Sequence, residues 1–194
     1  MNNLKLFSIF LGLVFLTTLG FSTFNNNSCG TIDAAGTYIV NVSSITSSDG
    51  NSCINITTSN VVLNLNGSYI DGAINGGKAA IYVYNSTEYL TNITVANGTV
   101  NASRWGVYLR NVENSTIANI SAFNNSEKGF YLYTSSNNTL TSNTANNHSN
   151  GGFYLYESSN NNNLTSNTAS NNSIYGFYLY ASSNNTLTSN NASN

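Results

Sequence analysis

Residues 129–151 read GFYLYTSSNNTLTSNTANNHSNG, and the chain then repeats itself. Gly152 opens GFYLYESSNNNNLTSNTASNNSIY, and Gly176 opens GFYLYASSNNTLTSNNASN. Gly106 begins a looser copy, GVYLRNVENSTIANISAFN, and Ala80 a still looser one, AIYVYNSTEYLTNITVAN. The openings at 106, 129, 152 and 176 are 23, 23 and 24 residues apart, and the extra residue falls in the SSNNNN stretch of 158–163. A fixed period of this length is the signature of a stacked repeat.

Each copy holds two short segments of period two. Phe130 and Leu132 alternate with Tyr131 and Tyr133, and Leu140 lies between Thr139 and Thr141. Such alternation predicts strands, and the Asn, Ser and Gly between them predict turns that tolerate left-handed backbone. No segment after residue 22 has helical periodicity. Aligning the copies produces apolar columns: Ile81, Val107, Phe130, Phe153 and Phe177; then Val83, Leu109, Leu132, Leu155 and Leu179; then Ile117, Leu140, Leu164 and Leu187. Ala122, Ala145, Ala169 and Ala192 form a fourth column of small residues.

No single copy can bury these side chains alone, whereas copies stacked at about 4.8 Å share one core. The expected fold is therefore all-β: a single-stranded parallel β-helix of about 23–24 residues per coil, right-handed by the chirality of parallel connections. Asn143, Asn167 and Asn190 share one turn position and are expected to form an asparagine ladder along the stack. It should start at Asn143, because Ile120 holds the place one coil earlier.

Composition fits an exported repeat. Of 194 residues five are basic and seven acidic, for a net charge of −2, and asparagine alone makes up roughly a fifth. Such a chain has no basic stripe for nucleic acid. Residues 1–22 read as a signal peptide: Lys5 precedes the apolar run 6–21, and Gly20 and Ser22 sit at −3 and −1 of a cleavage site before Thr23. No second apolar run is present, so no membrane span is expected after signal removal. Residues 23–79 are assigned to entry coils and 80–194 to repeats. The repeat pattern continues to Asn194 without a change in composition, so further coils or a C-terminal anchor are expected in a longer protein. In an exported chain, Cys29 and Cys53 can oxidise to a disulfide or persist as two buried thiols.

The sequence resembles the right-handed parallel β-helix repeat proteins, in particular exported surface proteins and their NosD-like relatives. CGTIDAAGTYIV (29–40) with NSCINI (51–56) resembles that family's disulfide-closed entry coil. VVLNLNGSYIDG (61–72) resembles its first full turn, and GFYLYxSSNNTLTSN its repeat unit. The resemblance implies the fold, the Cys29–Cys53 bridge and a secreted or cell-surface location. It does not choose among lyases, hydrolases, adhesins and copper-site maturation factors that share the coil.

Catalytic signals are sparse. Glycoside hydrolysis needs two neighbouring carboxyls. No two of Asp33, Asp49, Asp71, Glu88, Glu113, Glu127 and Glu157 are close in sequence; Glu88 and Glu113 are the pair placed to meet on one turn, while Glu127 and Glu157 should not stack. Lys78, Arg104, Arg110 and Lys128 show no partner pattern. With His148 and Met1 nearly the only candidate ligands, copper binding is rejected, and no metal or cofactor is expected.

The outward residues offer more. Tyr131, Tyr154 and Tyr178 form one column and Tyr133, Tyr156 and Tyr180 another, with Tyr82, Tyr84 and Tyr108 extending them and Arg110 interrupting the second. They either stabilise the sheet by stacking or present an aromatic platform to a polysaccharide or a cell-surface protein. The leading expectation is an exported, non-catalytic β-helix that binds carbohydrate or protein. The alternative is a β-helix polysaccharide lyase or glycoside hydrolase with catalytic residues mostly outside this chain. A minor alternative is an ice-binding face made of Thr139, Thr141, Thr165, Thr186 and Thr188, broken by Asn163 and absent from the earlier coils. About seventeen Asn-x-Ser/Thr sequons, among them Asn41, Asn55, Asn97 and Asn137, are potential glycan sites.

Overall fold

The computed structural model describes residues 21–24 as backbone, and residues 29–47, 50–72 and 78–193 in full. The signal-peptide reading therefore lies almost wholly outside the described residues, as does Asp49. The expected cleavage point before Thr23 falls within the strand Phe21–Phe24.

Every strand pair in the described chain is parallel, and from Gly30 on each strand pairs with its counterpart one coil away. One sheet stacks seven strands: Gly30–Ile32, Ile54–Ile56, Ala79–Val83, Trp105–Arg110, Lys128–Tyr133, Gly151–Tyr156 and Tyr175–Tyr180. We call it the aromatic sheet. A thirteen-stranded sheet covers the rest of the circumference. Its later coils contribute two short strands each, such as Thr139–Thr141 and Thr144–Asn146, where Thr116–Phe123 is one continuous strand in the coil before. We call it the hydroxyl sheet. Leu90–Thr91 and Val112–Glu113 form a small third ladder. The chain is a β-solenoid, as the period predicts.

The register confirms the apolar columns. Val107 faces Phe130, Phe130 faces Phe153 and Phe153 faces Phe177. The Ile117, Leu140, Leu164, Leu187 column is likewise in register. These side chains are fully buried up to Leu164, and Leu179 and Leu187 continue the columns into the last described coil. Exact register forces the phenyl rings to lie face over face: Phe130 and Phe153 are 4.7 Å apart at 5°, and Phe153 and Phe177 are 4.8 Å apart at 7°. The ring separation is simply the strand spacing. The alanine column occurs where the coil is thinnest. A Cβ added at Gly129 would lie 2.8 Å from the Ala145 Cβ and 2.8 Å from the Gly152 carbonyl oxygen, so both columns must be small.

Corners set the shape. In the coils between Gly129 and Tyr175, four times per coil a residue with positive φ is followed by a polar side chain turned inward; one coil earlier, Val112 and Ile120 follow two of the four. Ser142, Ser166 and Ser189 (φ 54°, 57° and 54°) precede Asn143, Asn167 and Asn190. The Asn143 Oδ1 accepts the Ile120 N–H at 3.0 Å, and its Nδ2 donates to the Ile117 carbonyl at 2.9 Å and to the Asn167 Oδ1 at 3.1 Å. Asn167 repeats the pattern with the Asn143 N–H and the Leu140 carbonyl, and Asn190 with the Asn167 N–H and the Leu164 carbonyl. The predicted ladder is present and starts where Ile120 ends it.

Two further amide ladders and a serine ladder were not singled out from sequence. Asn138, Asn162 and Asn185 accept the N–H groups of Ser115, Asn138 and Asn162 in turn. Asn125, His148 and Asn172 do the same for Ser103, Asn125 and His148. Ser135, Ser159 and Ser182 accept from Val112, Ser135 and Ser159. Cys29 and Cys53 form a disulfide with a sequence separation of 24, one coil, beside the Gly30 N–H to Cys53 carbonyl bond of 2.8 Å. The bridge that the resemblance implied staples adjacent rungs; closing a loop of that length stabilises by about 3–4 kcal/mol in the chain-entropy account.

Leu155→Ala, in the middle of the stack, is expected to cost about 2–5 kcal/mol in urea unfolding. Asn167→Ala orphans the Asn143 N–H and the Leu140 carbonyl together and is expected to cost about 2–4 kcal/mol. Thr165→Ala, on the outer surface, should cost less than about 1 kcal/mol. Equal losses for all three would contradict the inward and outward assignment.

Candidate functional site

The aromatic sheet turns two side-chain columns outward. Register places Tyr82, Tyr108, Tyr131, Tyr154 and Tyr178 in the first, and Arg110, Tyr133, Tyr156 and Tyr180 in the second. Within the first, Tyr82–Tyr108 and Tyr108–Tyr131 stack at 4.9 and 4.7 Å, and Tyr154–Tyr178 lie 4.6 Å apart. Lys128 sits at the step between Tyr131 and Tyr154, its ammonium 4.6 Å from one ring centroid and 4.9 Å from the other. In the second column Arg110 does not leave a gap. Its guanidinium lies 4.7 Å from the Tyr84 ring and 5.7 Å from the Tyr133 ring, so a cation holds the place of an aromatic group. Below it, Tyr133, Tyr156 and Tyr180 continue at 6.1 and 5.0 Å.

The six tyrosines do not form a uniform platform. Tyr154 is only 7% exposed, and Tyr108 9%. Tyr154 is covered by Tyr175 and Tyr178, and its hydroxyl hydrogen-bonds the Asn150 Oδ1 at 2.5 Å. Its ring also lies over Gly151, where an added Cβ would meet it at 2.5 Å. Tyr131, Tyr133, Tyr156 and Tyr178 are half-buried, and Tyr180 is exposed at 51%. The accessible aromatic surface is thus carried mainly by Tyr133, Tyr156, Tyr178 and Tyr180. Loss of solvent, and then neighbouring tyrosines, push the Tyr131 and Tyr154 hydroxyls up to about 12. Tyr133 is also raised, chiefly because it donates to the Glu157 Oε2 at 2.7 Å. These phenols stay protonated donors at any physiological pH.

At one margin of the sheet stands a cluster that sequence spacing did not show. The Glu127 carboxylate accepts from the Arg104 Nε at 2.7 Å and the Trp105 Nε1 at 3.0 Å, with the Lys128 ammonium 3.4 Å away. Partial burial favours the neutral acid, but the Arg104 and Trp105 hydrogen bonds and the two cations outweigh it and lower the Glu127 pKa. Arg104 also covers the Trp105 ring at 4.5 Å. Arg104 and Lys128 therefore do have a partner pattern, contrary to the reading from spacing. For Arg104 it is an i, i+23 relation that only the coil period brings together, whereas Lys128 is the next residue along the chain from Glu127. Lys78 lies at the same sheet's other end, lining a shallow 370 Å³ depression with Thr31, Asn55 and Tyr82.

The carboxylate pair expected at one turn is not formed. Glu113 pairs in register with Thr91, so Glu88 falls three residues out of step and instead lies 3.5 Å from the Asn85 amide. Glu127 and Glu157 engage different partners and do not stack. Among the described residues no group of three or more His, Cys, Asp and Glu side chains converges as a metal site would require. The threonine array extends further than the sequence suggested, since Thr94 and Thr116 continue the Thr139 column toward the N-terminus. The neighbouring column reads Ala96, Ala118, Thr141, Thr165 and Thr188, and Asn163 still interrupts the first.

Residues 31–192 match the family model described as the right handed beta helix region, and the chain belongs to that family. Comparison with curated proteins and with solved structures gives no match.

His148 is the one imidazole in the chain and it is buried within an amide ladder. Its Nδ1 accepts the Asn125 N–H at 3.1 Å, as an asparagine Oδ1 would. Its Nε2 faces the Ala122 carbonyl in the manner of an asparagine Nδ2, but too loosely for a well-formed hydrogen bond. Burial lowers its pKa from 6.5 to about 4. The unfolded chain binds the proton first, so this residue's contribution is complete above pH 6.5 and is lost as pH falls toward 4, by about 3 kcal/mol in all. Melting followed from pH 7 to pH 4 should show that loss, and His148→Asn, which restores the ladder, should flatten it. An unchanged pH slope in the variant would remove His148 as its origin.

Proposed function

We propose that the protein is an exported or cell-surface β-helix whose aromatic sheet binds polysaccharide without cleaving it. The observation that carries this reading is the concentration of ligand-competent groups on one face. Trp105, the outward tyrosines and all four described cations (Lys78, Arg104, Arg110 and Lys128) lie on or at the margins of the aromatic sheet. Asp33, Glu127 and Glu157 are the acids on or beside that sheet, whereas Asp71, Glu88 and Glu113 lie elsewhere on the coil. The face is therefore net positive on a chain of net negative charge.

Because the rings stack on one another along each column, they present their edges and protonated hydroxyls in a row at about the strand spacing, and those hydroxyls can donate to successive sugar oxygens. Exposed aromatic surface of this extent marks interaction sites, and its few conformational freedoms keep the ordering cost of binding low. Among the described residues Glu127 and Glu157 of this face engage different partners and form no carboxylate pair, which supports adhesion along a chain over bond cleavage. The excess of cations favours polysaccharides that carry acidic groups and makes binding fall with salt.

A glycan array run with the secreted chain tests this. Tyr156→Ala and Tyr180→Ala are expected to weaken binding about 10-fold each, on the scale of a lost aromatic contact. Tyr154→Ala should act mainly on stability. A reducing-sugar assay on any bound polymer should show no turnover. Turnover, or array binding indifferent to Tyr156 and Tyr180, would refute the reading.

A further inference from the structure

The corners that hold the stack together also sort the asparagines into two populations. Among the described residues, thirteen of sixteen sequon asparagines are exposed, the others being Asn55, Asn85 and Asn101. Of the sixteen asparagines outside sequons only Asn51, Asn60 and Asn161 are exposed. The coil geometry accounts for the division. A corner asparagine in left-handed backbone points outward, the next residue turns inward to the ladder, and the one after returns outward, where Ser or Thr stands. At two of the corners the ladder asparagine is followed two positions on by an inward apolar residue, as Asn138 is by Leu140 and Asn143 by Ala145. Those asparagines cannot head a sequon without placing a hydroxyl in the core.

One corner carries an exposed sequon on three consecutive coils. Asn124, Asn147 and Asn171 succeed one another on consecutive coils with φ of 52°, 60° and 53°, and all three are exposed. Their side chains make no hydrogen bond, unlike Asn92, Asn97 and Asn119, whose amides bond to Asn60, Asn64 and Asn97. Ser126, Ser149 and Ser173 supply the exposed sequon hydroxyls. A bulky group on these amides projects into solvent and disturbs neither the core nor a ladder.

We propose that this corner is a column of N-glycosylation sites, so that the protein displays sugars of its own along the edge that leads into the aromatic sheet. The inference rests on the export expected from residues 1–22, and not on the binding reading. In the transfer, the amide Nδ2 forms a bond to the anomeric carbon of a polyprenyl-pyrophosphate-linked oligosaccharide. The bond from that carbon to the phosphate oxygen breaks, the polyprenyl pyrophosphate leaves, and the amide proton passes to a base of the transferase. No oxidant or reductant is involved.

The test is to express the full chain through the secretory route of a glycosylating host and map modified asparagines by peptide mass after enzymatic release of the sugars. Glycans are expected at the 124, 147 and 171 corner, with Asn101 and the ladder asparagines unmodified. Asn147→Gln should lower the intact mass by one glycan while leaving the melting temperature within a few degrees, and Tyr156→Ala should leave the glycan map unchanged. A secreted chain with this corner bare overturns the proposal. So does modification confined to Asn55, Asn85 or Asn101, or a chain that keeps its leader and is never modified.

Discussion

From Asn92 on, the backbone turns at each corner without a glycine or proline in the left-handed position, and the polar groups exposed by the turn face the core. The protein meets both demands with one two-residue device. An outward residue takes the left-handed conformation, which costs an L-residue about 1–2 kcal/mol. The inward side chain that follows takes up an N–H of the preceding coil and, in the amide ladders, a carbonyl of that same coil. Each such bond nets about 1 kcal/mol, and each group left unpaired in the core costs about 1–3. The device is therefore favourable only when neighbouring coils carry it in the same phase. That requirement explains why the copies are so alike at their asparagines, and why the chain contains no proline at all.

Stacking then propagates the consequences outward. Once the ladders fix the register, every side chain meets its equivalent at the strand spacing. Aliphatic groups pack into columns, phenyl rings lie face over face, and tyrosines line up on the surface whether or not a stack is their preferred geometry. The two places where a cation enters the tyrosine columns, Lys128 and Arg110, relieve that repetition by placing positive charge against the ring faces.

The fold was legible because its determinants repeat. The apolar phase, the period, the alanine column and the Asn143 ladder all follow from aligning the copies. The other ladders carried the same signal, since Asn138, Asn162 and Asn185 hold one phase, but a composition rich in asparagine made them look like turn filler. His148 hid for a related reason: it breaks the asparagine column in letter while keeping its hydrogen-bond acceptor. The site was less legible. Spacing placed the tyrosines correctly and oriented them outward, yet it could not say that Tyr154 is covered by its neighbours, because coverage depends on ring tilt and on Gly151. Arg104, Trp105 and Glu127 meet across a coil through single, non-repeated letters, and alignment of repeats discards such letters as variation.

That last point separates the two kinds of information in the chain. Inward positions are constrained by the coils on either side, so a change in one is tolerated only when it preserves volume or hydrogen bonding, as histidine for asparagine does. Outward positions answer to solvent alone. They are free to gather the cations and aromatic rings on one sheet and leave hydroxyls and methyls on the other, with no effect on the winding. What distinguishes this β-helix from others must then be sought in the outward residues that depart from the repeat. The departures at Trp105, Arg110 and Lys128 fall on the aromatic sheet, while Asn163 breaks the threonine column of the other.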